Sequence, residues 1–84
     1  MSEKGRTPDE KFLIQLYRKA HELGDPYVPI DCRGIAASLG QKETAVKNIV
    51  KHLAQANFIK KVDQTTVLLT ARGCDFVLDE LENK

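Results

Sequence analysis

Ile35-Ala36-Ala37-Ser38-Leu39-Gly40-Gln41-Lys42-Glu43-Thr44-Ala45-Val46-Lys47-Asn48-Ile49-Val50-Lys51-His52-Leu53 is the stretch on which the fold turns. It holds two helical patterns split by about three residues. In the first, Ile35, Ala36 and Leu39 are the inward residues and Gly40 stops the helix. Asp31 is a natural N-cap, so a helix is predicted over 31–39, weakened by Gly34 in its interior. The second pattern predicts a helix over 42–56. With Ile49 as reference and about 100° per residue, Ala45, Val46, Leu53 and Ala56 fall on its side. Thr44, Lys47, Asn48, Lys51 and Gln55 fall opposite. Asn57, which tolerates the left-handed conformation, closes the helix.

Upstream, Thr7-Pro8-Asp9-Glu10 is a capping box with proline at the first helical position. Leu13, Leu16, Ala20 and Leu23, widened by Phe12 and Tyr17, continue it as an amphipathic helix over 8–23. Two prolines within 25–30 then read as an extended connector with a short edge strand. Downstream, Phe58–Val62 and Thr66–Leu69 flank Asp63-Gln64-Thr65 and predict a hairpin over 58–69. Thr70 caps a last helix over 70–82, with Cys74, Val77, Leu78 and Leu81 inward, Phe76 beside them, and Gly73 as a weak point. Residues 1–6 and 83–84 are expected to be disordered. The short, glycine-containing link between the second and third helices is the mark of a helix-turn-helix.

Several function classes drop out. Eighty-four residues make one domain with a thin core and no room for a separate sensor. A 42% hydrophobic and 30% charged composition is that of a globular chain. No apolar run reaches the ~18–20 residues of a membrane span. No apolar segment follows the first residues as in a secretory signal, so a cytoplasmic location with reduced thiols is expected. His21, His52, Cys32 and Cys74 are scattered singly, so no metal site is expected. The glycines form no phosphate loop. No residue set reads as a catalytic constellation, so the chain is expected to be neither an enzyme nor a cofactor or small-molecule binder. His21 and His52 read as surface histidines, and Cys74 as a core residue. Cys32 precedes Arg33 at a helix start, an arrangement that lowers a thiol pKa, although an inert thiol is the simpler reading.

Five elements in order carry a family resemblance: Ile35-Ala36-Ala37-Ser38-Leu39-Gly40, Thr44-Ala45-Val46, Ile49-Val50-Lys51-His52-Leu53, Ala56-Asn57-Phe58-Ile59 and Leu68-Leu69-Thr70-Ala71-Arg72-Gly73. Together they resemble the winged helix-turn-helix domains of bacterial transcriptional regulators, of which the multiple-antibiotic-resistance-regulator type is one example. The likeness runs from about 12 to 82. It implies a mainly α fold with a small β-hairpin: a three-helical bundle, a wing and a C-terminal helix. It also implies double-stranded DNA binding in transcriptional control, with the third helix in the major groove. The chain departs from the family at three places. Asn57 stands where glycine is usual, Lys42 where serine often caps the third helix, and Asp63 and Gln64 where the wing tip commonly carries Arg or Lys.

The net charge of +1 conceals a segregation. Residues 31–61 carry Arg33, Lys42, Lys47, Lys51, Lys60 and Lys61 against Asp31 and Glu43, a net +4. Residues 1–30 balance, and residues 62–84 are net −3. A basic block coincident with the helix-turn-helix is what a phosphate-binding face needs. Gln41, Thr44, Lys47 and Asn48 are base-edge candidates, because Lys donates to guanine and Asn or Gln pairs with adenine. Arg33, Lys42, Lys51, Lys60 and Lys61 are phosphate candidates. The alternative is a winged-helix protein–protein interaction module in a larger assembly, which the acidic hairpin tip favours. The modest charge of one copy and two amphipathic terminal helices also suggest a homodimer through the first or fourth helix.

Overall fold

The computed structural model describes residues 7–82. The expectations for residues 1–6 and 83–84 lie outside these. The chain runs α1 (Pro8–Glu22), β1 (Ile30–Asp31), α2 (Cys32–Leu39), α3 (Glu43–Gln55), β2 (Ile59–Lys61), β3 (Thr66–Leu69) and α4 (Ala71–Glu82). It is mainly helical with one small antiparallel sheet of order β1-β3-β2, a composition compatible with a winged helix. The predicted hairpin forms with Lys60 opposite Leu68. The connector's edge strand forms at its very end, where Ile30 pairs with Val67 and Asp31 with Thr66.

Helix α1 is the hub. Its capping box is complete: the Glu10 amide donates to Thr7 Oγ1 at 3.2 Å, and the Thr7 amide to Glu10 Oε1 at 3.1 Å. Phe12, Leu13, Leu16 and Ala20 are fully buried, and α1 packs on α2, α3 and α4. Ile14 joins the core, so the buried stripe is wider than the spacing suggests. Leu23, expected inward, is 62% exposed, because it stands past the last helical residue as the C-cap.

The other helices obey local rules at their ends. Asp31 caps α2 by accepting from the Arg33 amide at 2.8 Å. Gly40, at φ 68°, turns the chain left-handed, and the Gln41 amide reaches back to the Ala36 carbonyl at 2.9 Å. At the end of α3, Asn57 takes φ 66°, and the Phe58 amide donates to the Leu53 carbonyl at 2.9 Å. Asn57 therefore takes the left-handed conformation that its place at the helix end predicts.

Two inward assignments are corrected. On α3 the buried residues are Val46, Ile49, Val50 and Leu53, and Ala45 is exposed. Burying both valines rotates the inward axis by about 50° toward Val50, at 100° per residue. On α4, Leu78 is 38% exposed, while Cys74 and Val77 are buried. Gly73 is not merely a weak point. The Phe58 carbonyl occupies the space a side chain would need, and its carbon lies 2.9 Å from an ideal Cβ at residue 73. Thr70 fixes this approach: its amide donates to the Phe58 carbonyl at 3.1 Å, its hydroxyl to the Asn57 carbonyl, and the Gly73 amide bonds Thr70 Oγ1 at 3.1 Å.

Candidate nucleic-acid interface

Because Val46, Ile49, Val50 and Leu53 face the core, the helical period turns Thr44, Lys47, Asn48 and Lys51 outward, and all four are exposed. Lys42, at the N-cap of α3, is also exposed and makes no capping hydrogen bond with its side chain. A lysine ammonium has no acceptor to offer the first amides of a helix, so this end of α3 has no side-chain cap. Lys60 and Lys61 project from β2, which packs against α3. Among the described residues, no carboxylate forms an ion pair with Lys42, Lys47, Lys51, Lys60 or Lys61.

Two candidates are placed differently. Gln41 is only partly exposed and is turned toward α1. Its Nε2 donates to the Pro8 carbonyl at 3.4 Å, and its Oε1 is buried with no partner. Arg33 is exposed but engaged: Nε and Nη2 make a two-point contact with the Asp31 carboxylate at 3.2 and 2.9 Å. That contact holds the Asp31 carboxyl below the usual range, first through the side-chain bond and then through the Arg33 amide. A phosphate would have to displace this carboxylate to gain the guanidinium.

Arg72 carries a signal that the charge blocks hid. It falls in the acidic C-terminal block, yet it stands in the first turn of α4 with its guanidinium 5.8 Å from the Phe58 ring centroid. Phe58 stacks in turn on Phe76 at 4.9 Å. Nothing local in the sequence links Arg72 to Phe58, fourteen positions earlier.

The turn between β2 and β3 is tied together by one carboxylate. Asp63 Oδ1 accepts from the amides of Thr65 and Thr66, each at 2.9 Å. The Thr65 amide is the main cause that holds the Asp63 carboxyl below its ordinary value. A carboxyl with a lowered folded-state pKa contributes stability above its unfolded pKa, about 3.9, and that contribution is lost as pH falls through the folded value. The Thr65 and Thr66 amide resonances are therefore expected to titrate together below pH 3.9. A midpoint at or above the ordinary aspartate value in an NMR titration would contradict this geometry.

Cys32 does not have the lowered pKa that its position suggested. Burial pushes its thiol up, and the neighbouring Asp31 adds to the effect, outweighing Arg33 and Lys61. His52 is a surface histidine, with Nδ1 3.3 Å from Asp9 Oδ2 at the start of α1. Among the described residues, no group of three or more His, Cys, Asp or Glu could hold a metal ion. No described helix is long and apolar enough to cross a membrane. No family model, curated protein or solved structure matches the chain.

Proposed function

We propose that the chain is a winged helix-turn-helix domain that binds double-stranded DNA in transcriptional control, with α3 in the major groove. The observation that carries this reading is the exposed row of Thr44, Lys47, Asn48 and Lys51 on one helix, without a carboxylate partner among the described residues. In this reading Thr44, Lys47 and Asn48 meet base edges. Lys42, Lys51, Lys60 and Lys61 meet phosphates. Gln41 and Arg33 stay outside, because one is turned inward and the other is held by Asp31.

The distribution of apolar surface favours DNA over a protein partner at this face. The exposed large hydrophobics among the described residues are Leu23, Tyr27, Val62 and Leu78; none belongs to α3, and Val62 alone belongs to the hairpin, beside Lys61. A docking face for a protein would be expected to present a contiguous apolar patch there.

A salt titration of duplex binding tests the reading. With these four phosphate contacts, log K is expected to fall against log salt with a slope of about −4. Lys47→Ala/Lys51→Ala is expected to weaken binding at 50 mM salt by roughly 10- to 100-fold and to flatten the slope by about one, the share of the Lys51 phosphate contact. No binding by the unmodified chain at that salt, or binding indifferent to the substitutions, would refute it.

A further inference from the structure

A second surface lies between α1, β1 and α2, and no residue of α3 lines it. It is an open groove of about 330 Å³. Ile30 and Ile35 form its buried floor, Lys19 and Leu23 stand on the α1 side, and Asp31 and Gly34 on the other. A hydrogen bond from Gln15 Nε2 to Ser38 Oγ, at 3.3 Å, ties the two helices together within it.

Gly34 is the anomaly. Gly24 and Gly40 have positive φ, and Gly73 is met by a carbonyl. Gly34 has an ordinary helical backbone, and an ideal Cβ there meets nothing within 4 Å. A glycine inside a helix weakens it, and here no contact among the described residues requires the missing side chain. The remaining physical use is close approach of something from outside to the α2 backbone. Leu23, which lines the same groove, is the converse feature: a large apolar side chain left 62% exposed.

We propose that this groove is a self-association surface on which two copies dock about a two-fold axis. Each Leu23 seats against the Gly34 backbone of the other copy. Each Lys19 lies opposite the other copy's Asp31. A two-fold contact requires one footprint to carry both halves of every match. This groove does so for shape, with Leu23 and Gly34, and for charge, with Lys19 and Asp31. Asp31 remains able to take a second cation: its side chain is 47% exposed, and among the described residues Oδ2 accepts only from Arg33 Nη2. The footprint is smaller than a standard interface, so the dimer is weak, with a midpoint on the order of 100 μM. The proposal does not depend on DNA binding.

Sedimentation equilibrium across micromolar to millimolar chain tests it, with melting at low concentration as the folding control. The unmodified chain is expected to dimerise. Leu23→Glu and Gly34→Glu, both at exposed positions, are each expected to weaken the dimer at least tenfold and to leave the monomer folded. Gly34→Ala guards against a folding artefact, since it is expected to raise the monomer's melting temperature while weakening the dimer. Leu78→Glu on α4 is expected to change nothing. A monomer at every concentration, a dimer that survives both glutamate substitutions, or a dimer abolished by Leu78→Glu would each overturn the proposal.

Discussion

Gly73→Ala is expected to cost about 3 kcal/mol or more, at the upper end of what overpacking does. The added methyl would overlap the Phe58 carbonyl oxygen and stand 2.9 Å from its carbon. The obstacle is backbone, so no rotamer change relieves it. Either α4 must slide or the turn after α3 must move. Both responses break the bonds Thr70 makes to the Asn57 and Phe58 carbonyls. A domain of this size has roughly 4–12 kcal/mol in total. The melting temperature should therefore drop by about 12–24 °C, read by circular dichroism. A shift of only two or three degrees would mean that α4 does not approach Phe58 this closely.

Phe12→Ala is expected to cost a further-reaching 3–5 kcal/mol, enough to leave little folded chain at 37 °C. Phe12 is fully buried on the helix that packs against the other three. The cavity would open at the centre of the hub, where neighbours on several elements would have to move together to fill it. Urea denaturation should show a lower midpoint, and Phe12→Leu should recover most of the loss because it keeps most of the volume. A midpoint within experimental error of the unmodified chain would place Phe12 outside the core. Lys47→Ala/Lys51→Ala, at exposed positions, should leave the same midpoint nearly unmoved.

The parts of the fold legible in the sequence were those governed by local chemistry. Thr7-Pro8-Asp9-Glu10, Asp31, Gly40, Asn57 and Thr70 each mark a helix end through a bond made within a few residues. What could not be read depended on contacts between distant segments. Ala45 and Val50 compete for the inward side of α3, and only the packing of α3 against α1 and β2 decides between them. Gly73 reads as a helix weakness until Phe58, fifteen residues earlier, is brought against it. The exposed row on α3 was legible from period alone. Gln41 was not, because its inward turn depends on Pro8 at the far end of the chain. Arg33 and Asp31 are two residues apart, but their two-point contact needs the particular geometry of a helix cap.

The pairing of Ile30 with Val67 and Asp31 with Thr66 ties the strand before α2 to the second strand of the hairpin. These four residues pin together both ends of the segment that holds the two helices, so that segment is a closed loop. When β1 leaves β3, the loop's ends part, while α1 can stay packed on α2, α3 and α4. The Cys32 amide, bonded to the Thr65 carbonyl at 2.8 Å, sits at the clasp of this loop. Its rate of hydrogen exchange should therefore report how often this clasp opens ahead of the rest of the chain.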